Sequence, residues 1–195
     1  MRTRHAAHYL SAGREANSLY TQGGDQIAEA LRRFDAAWPH LQAAWEWLKT
    51  QGDEAALRWL SDFPGQVVYT LDLRLPPRRK IPLLETALAA ARRLGDRRNE
   101  GTHLGNLGPA YWSLGDAARA TGSHEQALAI DRAIGDRRGE AIDAWNLGLA
   151  YEEQGDLAHA AELMQILVDF ERSIGHADAE KDARRLEEVK RKRDA

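Results

Sequence analysis

The sequence predicts an all-α chain built from repeated antiparallel helix pairs, and three observations lead there. First, the chain matches itself at an offset of 40 residues: Gly95-Asp96-Arg97-Arg98 falls on Gly135-Asp136-Arg137-Arg138, Asn106-Leu107-Gly108 on Asn146-Leu147-Gly148, and Gly115-Asp116 on Gly155-Asp156. A fixed period of this size marks stacked supersecondary units, each too small to bury its apolar face alone. Second, the stretches between the Gly-Asp pairs carry apolar residues at helical spacing. Third, with 43% hydrophobic and 29% charged residues the 195-residue chain can bury a core, so it does not read as disordered.

The same composition excludes several classes of function. Thirty acidic against 27 basic residues leave a net charge of -3, which gives no general electrostatic grip on nucleic acid or on an anionic membrane. The absence of cysteine removes disulfides, thiolate metal sites and cysteine nucleophiles together, and it suits the cytoplasm. No stretch approaches the ~20 apolar residues of a membrane span. The start, Met1-Arg2-Thr3-Arg4, leads into an amphipathic segment rather than a signal peptide.

In chain order, His5–Tyr20 reads as one amphipathic helix, and Gly23-Gly24 as a turn. Asp25 is placed to cap a second helix running towards Lys49, with Ile27, Leu31, Phe34, Trp38, Leu41, Trp45 and Leu48 at helical spacing. Pro39 is expected to kink or break it. Four of the six tryptophans lie between Trp38 and Trp59, a bulky core joining this segment to the repeats. Residues 1–52 therefore form an atypical N-terminal helical pair. Repeats follow over residues 53–174: a degenerate unit at 53–94, then 95–134 and 135–174. In the degenerate unit Pro64 interrupts the first helix, and Pro76-Pro77 starts the second, where a missing N–H costs little.

The first clear unit has a helix A from about Arg97 to Leu114 and a helix B ending near Ile134. Asp116 caps helix B at its start and Gly135 at its end. Gly108 and Gly148 recur on helix A and Ala120 and Ala160 on helix B. A helical glycine costs roughly 1 kcal/mol against alanine, so its recurrence points to close helix approach. Gly101, Gly105 and Gly108 take the same reading rather than that of a phosphate loop, since no strand precedes them. Tyr111 and Tyr151 should fill the space between helices A and B. Residues 175–195 read as a charged capping helix with Ala177, Ala183, Leu186 and Val189 on its less polar face.

The pattern N-L-G-x-A-Y, then G-D, then a small residue on the next helix resembles a tetratricopeptide repeat, in a variant whose period is 40 residues. That resemblance implies a right-handed superhelical solenoid, non-catalytic, with helices A lining a concave groove that takes a protein or peptide. The run HAAHYL, then RRFDAAWPHLQAAWEWL, then QGDEAALRWL further resembles a stretch of bacterial STAND signalling ATPases that leads into their repeat array. It departs from the pattern E-x-D-N-L-R-A-A-L-x-W at Trp38-Pro39-His40. By this resemblance the chain is the sensor region of a larger signal-transduction protein whose neighbouring domains are further partners. The chain itself holds no G-x-x-x-x-G-K-[ST].

The expected groove residues are Asn106 and Asn146, whose amides can pair with both sides of a peptide unit, and Trp112 and Trp145, a residue type common at hot spots. Thr102, Pro109, Ile142, Leu149 and Glu152 share their face. Asn106 and Asn146 equally suit hydrogen bonds within the stack, and the tryptophans burial against the next repeat. No catalytic residue, metal site or cofactor is expected: there is no G-x-S-x-G or H-E-x-x-H, His124-Glu125 lacking the second histidine, and His5 with His8 reads as a solvated pair. A free-standing adaptor, a small-molecule sensor and a self-associating array are the alternative readings.

Overall fold

The computed structural model describes the backbone of residues 2–194 and the side chains of residues 6–194. Among these residues every regular element is a helix: α1 (Arg2–Thr21), α2 (Gln26–Lys49), α3 (Glu54–Gln66), α4 (Val68–Arg74), α5 (Pro77–Leu94), α6 (Arg97–Trp112), α7 (Ala117–Ile134), α8 (Arg137–Gln154), α9 (Leu157–Ile174) and α10 (Ala179–Arg193). They group into two compact units, Met1–Asn99 and Glu100–Ala195.

One local device punctuates the repeats. The glycines after α5, α7, α8 and α9 (Gly95, Gly135, Gly155 and Gly175) are all left-handed, with φ between 65° and 84°, a conformation that a Cβ penalises. The following N–H then reaches back to the last turn, as Asp136 does to the Asp131 carbonyl at 2.9 Å and Asp156 to that of Tyr151 at 2.9 Å. The same aspartate caps the next helix. The side chain of Asp96 accepts from the Asn99 N–H, Asp116 from Arg119, Asp136 from Gly139 and Asp156 from His159. Two residues thus end one helix and start another, and within the second unit α7 packs on α8, α8 on α9 and α9 on α10.

In the first unit α1 packs on α2 and α3 on α5. Their shared core holds Leu10, Phe34, Leu41, Trp45, Leu48, Leu60, Phe63 and Leu71, with Trp38, Trp47 and Trp59 half-buried against it. Because the core runs through residues on both sides of position 52, residues 53–99 group with 1–52, and the compact units divide between Asn99 and Glu100.

Several local expectations are corrected. Pro39 lies within an uninterrupted α2, and Asp25 makes no side-chain cap; the Asp35 carboxylate, one turn before the proline, holds Arg74 at 2.8 Å. Pro64 is tolerated inside α3, which ends at Gln66 before the short α4. Helix α5 starts at Pro77 as expected. Ala177 is exposed ahead of α10, and Ala179 takes the buried place beside Ala183, Leu186 and Val189. The side chain of His5 lies outside the described residues, and His8 stands edge-on to Tyr9.

In the second unit the helical glycines mark close approach. The ring of His124 on α7 lies directly over Gly108, the Asp143 carboxylate over Gly105, and Asp131 between Gly101 and Gly139. One repeat on, Met164 on α9 lies over Gly148.

Candidate binding cleft

The second unit carries a cleft of about 370 Å³ lined by Pro109 and Trp112 from α6, His124 from α7, Asn146, Leu149, Ala150, Glu152 and Glu153 from α8, and Arg185 from α10. That volume is at the small end of the roughly 300–1,000 Å³ of ligand clefts. Pro109, Leu149 and Ala150 give it apolar walls. Asn146 is half-buried and Glu153 exposed, and neither makes a side-chain hydrogen bond or ion pair among the described residues.

Five of the nine groove candidates meet in this cleft: Asn146, Trp112, Pro109, Leu149 and Glu152. Four do not line it. Asn106 is half-buried on α6, Thr102 is exposed, and Ile142 is 45% exposed. Trp145 packs half-buried against the cluster of Ala160, Met164, Val168, Ala183 and Leu186, so its bulk serves the stack.

Glu152 is held by the last helix. It accepts from Arg185 Nη2 at 2.5 Å and Lys192 Nζ at 2.8 Å, and its side chain is only 11% exposed. Burial pushes its carboxyl up, but the hydrogen bonds from Lys192 and Arg185 outweigh this and hold it below the usual carboxylate range. Arg185 also meets Glu188 at 3.3 Å, so the charges of Glu152, Arg185 and Lys192 largely satisfy one another.

The inner wall is polar, which the sequence reading did not anticipate. His124 is 4% exposed, and its Nδ1 lies 2.7 Å from Asp143 Oδ1 on α8. Asp143 is 6% and Asp131 5% exposed. Burial pushes the Asp131 carboxyl up to about 7, helped by the charge of Asp143 and a hydrogen bond with it, and by Asp136 and Glu140. Asp131 therefore keeps its proton through the mildly acidic range and hydrogen-bonds Asp143, which also meets the imidazole. The available signal was positional: His124 stands where Leu84 and Met164 stand one repeat away, and both of those are buried.

Among the described residues no group of three or more His, Cys, Asp or Glu side chains is arranged to hold a metal ion. No helix there is long and apolar enough to cross a membrane.

No family model and no curated protein matches the chain. Solved structures do. A Podosopora anserina kinesin light chain protein with nearly identical TPR-like repeats superposes with TM-score 0.62 at 19% identity, covering 95% of this chain and 88% of that one. A variant of it reaches TM-score 0.64 over the same coverage. The fold is that of a TPR-like repeat protein. BtubC (BKLC) from P. vanneervenii shares it more loosely, with TM-score 0.54 at 17% identity over 100% of this chain and 93% of that one. Identities this low establish the TPR-like fold and nothing about ligands.

Proposed function

We propose that this TPR-like chain is a non-catalytic recognition module whose cleft in the second unit, between α6 and α8, receives an extended segment of a partner protein. One observation carries the reading: an Asn146 amide with no side-chain partner lies among the apolar cleft residues Pro109, Trp112 and Leu149. An amide that offers both donor and acceptor can pair with a peptide unit of any sequence, and the apolar walls would take an adjacent side chain. The groups a hydrolytic or transfer site needs are not assembled there, since the buried His124 has no neighbouring serine, cysteine or metal cluster in the cleft.

The test replaces Asn146→Ala and Trp112→Ala separately and measures capture of partners from a source lysate, with thermal unfolding as the control. Capture should fall while the unfolding midpoint moves little. Unchanged capture by both variants sinks the reading. The N-terminal resemblance to STAND ATPases supports the finer proposal that this module is the sensor part of a larger signalling protein. An antibody against the chain tests it: the native protein should run several times larger than 21.8 kDa, and a band near that mass would refute it.

A further inference from the structure

The cleft has an electrostatic preference. Of the charged side chains that line it, Glu152 and Arg185 neutralise each other, with Lys192 alongside. Glu153 remains at the rim with no ion-pair partner among the described residues. Behind the inner wall stands Asp143, in hydrogen-bond contact with the imidazole of His124 and with the raised Asp131 carboxyl, and with no Lys or Arg in ion-pair contact among the described residues. The lining and its backing thus hold a surplus of negative charge, and in a recess shielded from water that surplus acts at higher strength than on an open surface.

His124 determines which hydrogen bond the inner wall offers. With Asp143 accepting at 2.7 Å, Nδ1 carries a ring proton. Nε2, at the opposite side of the ring, is the acceptor of the Nδ1–H tautomer. It makes no hydrogen bond among the described residues, although the residue is more than nine-tenths buried and lines the cleft. Asp131, whose carboxyl burial raises to about 7, also hydrogen-bonds Asp143.

Building on the peptide-recognition reading, we propose that the cleft selects a lysine or arginine side chain of the partner segment, with Nε2 of His124 accepting from the cation and Glu153 balancing its charge at the rim. Ammonium and guanidinium groups are donors only, so they match a wall whose free groups are an imidazole lone pair, a carboxylate and the Asn146 carbonyl oxygen. An acidic side chain would meet Glu153 and the Asp143-backed ring, while the Arg185 guanidinium is already engaged by Glu152 and Glu188.

The test selects a displayed library of random peptides against the full chain at neutral pH and measures affinities by fluorescence anisotropy. Selected peptides should be enriched in lysine or arginine. His124→Met imitates the next repeat, where Met164 sits over Gly148, and should weaken them by about 10–100-fold, the value of a hydrogen bond to a charged group. Asp143→Asn is the more pointed variant. Its amide can donate to Nδ1 and move the ring proton to Nε2, turning acceptor into donor while the packing is kept. It should weaken basic peptides by a similar factor, and Glu153→Gln by about 2–5-fold as a rim charge. Nitrogen-15 spectra of the wild-type imidazole should report a protonated Nδ1 and a bare Nε2, and the reverse in Asp143→Asn.

Peptides that bind and depend on Asn146 but carry no basic residue, or that ignore Asp143→Asn, would overturn the cation assignment while leaving the recognition reading intact. A wild-type ring protonated at Nε2 would overturn it too. If no peptide is selected at all, both readings fail.

Discussion

Two successive layers of the second unit are built on the same register and filled with different chemistry. In the α6–α7–α8 layer, Gly108 faces His124, Gly105 faces Asp143, and Gly101 and Gly139 flank Asp131. Forty residues on, in the α8–α9–α10 layer, Gly148 faces Met164, Trp145 packs against the cluster containing Ala183, and Ala141 and Ala179 occupy the places flanking Glu171. The backbone plan is shared. The filling is a buried imidazole–carboxylate chain in one layer, and in the other thioether, indole and methyl groups around one buried carboxylate, Glu171. Burial of a polar network rarely outperforms apolar packing in stability, so the polar layer is the one whose residues need another explanation, and it is the layer that backs the cleft.

The largest effect expected from this contrast is a pH dependence. The Asp131 carboxyl is raised from 3.8 to about 7 in the folded chain. The folded state therefore holds its proton where the unfolded state has lost it, and stability is fully present below about pH 4 and falls as pH rises towards about 7. At ~1.4 kcal/mol per pH unit the fall is up to about 4 kcal/mol. Asp131→Asn should flatten this profile in urea unfolding measured across pH. Burial also raises Glu171, opposed by His176 at 3.2 Å, so Glu171→Gln should flatten it less. Equal effects would erase the distinction between the layers.

Next come the close contacts. Gly108→Ala places a methyl group against the rigid His124 ring and should cost about 3 kcal/mol. Gly148→Ala meets the flexible Met164 side chain and the Ala160 carbonyl at 3.0 Å, and should cost about 1 kcal/mol. Reversal of that order in thermal denaturation would mean the ring yields more readily than the thioether.

A loss smaller than that of Gly108→Ala is expected where the last helix docks. Glu152→Gln removes the acceptor charge shared by Arg185 and Lys192 and should cost about 1–2 kcal/mol. Hydrogen exchange should report it as faster opening of α10, with α6 and α7 unaffected. The smallest effect belongs to a cap inside the polar layer. Asp136→Ala loses the bond from the Gly139 N–H at 2.9 Å, about 1 kcal/mol. It also removes a carboxylate that helps to raise Asp131, so the pH profile should shift slightly towards acid.

The residues of the cleft were legible to different degrees. Asn146, Trp112, Pro109 and Leu149 follow from helix register alone, since residues three and four apart share a face. Glu152 shares that face as well, but its ion pairs with Arg185 and Lys192 join residues 33 and 40 positions apart, and no local rule announces them. In sequence His124-Glu125 reads only as the start of a metal motif that the chain does not complete. The informative comparison was with Leu84 and Met164, a polar residue at an otherwise apolar core position. Trp145 and Trp112 looked alike in sequence, yet only Trp112 lines the cleft, because Trp145 fills space beside the small Ala183.

In the repeats of the second unit the helices and their ends follow from local constraints that act within a few residues: a glycine that must be left-handed, an aspartate that caps the next turn and a period of 40 residues. Which side chains share a cleft depends instead on packing between segments distant in the chain. The approach of His124, Asp143 and Asp131 depends on three helices meeting over glycines, and the proton they share depends on the exclusion of water there, a property of the packed chain rather than of any segment of it.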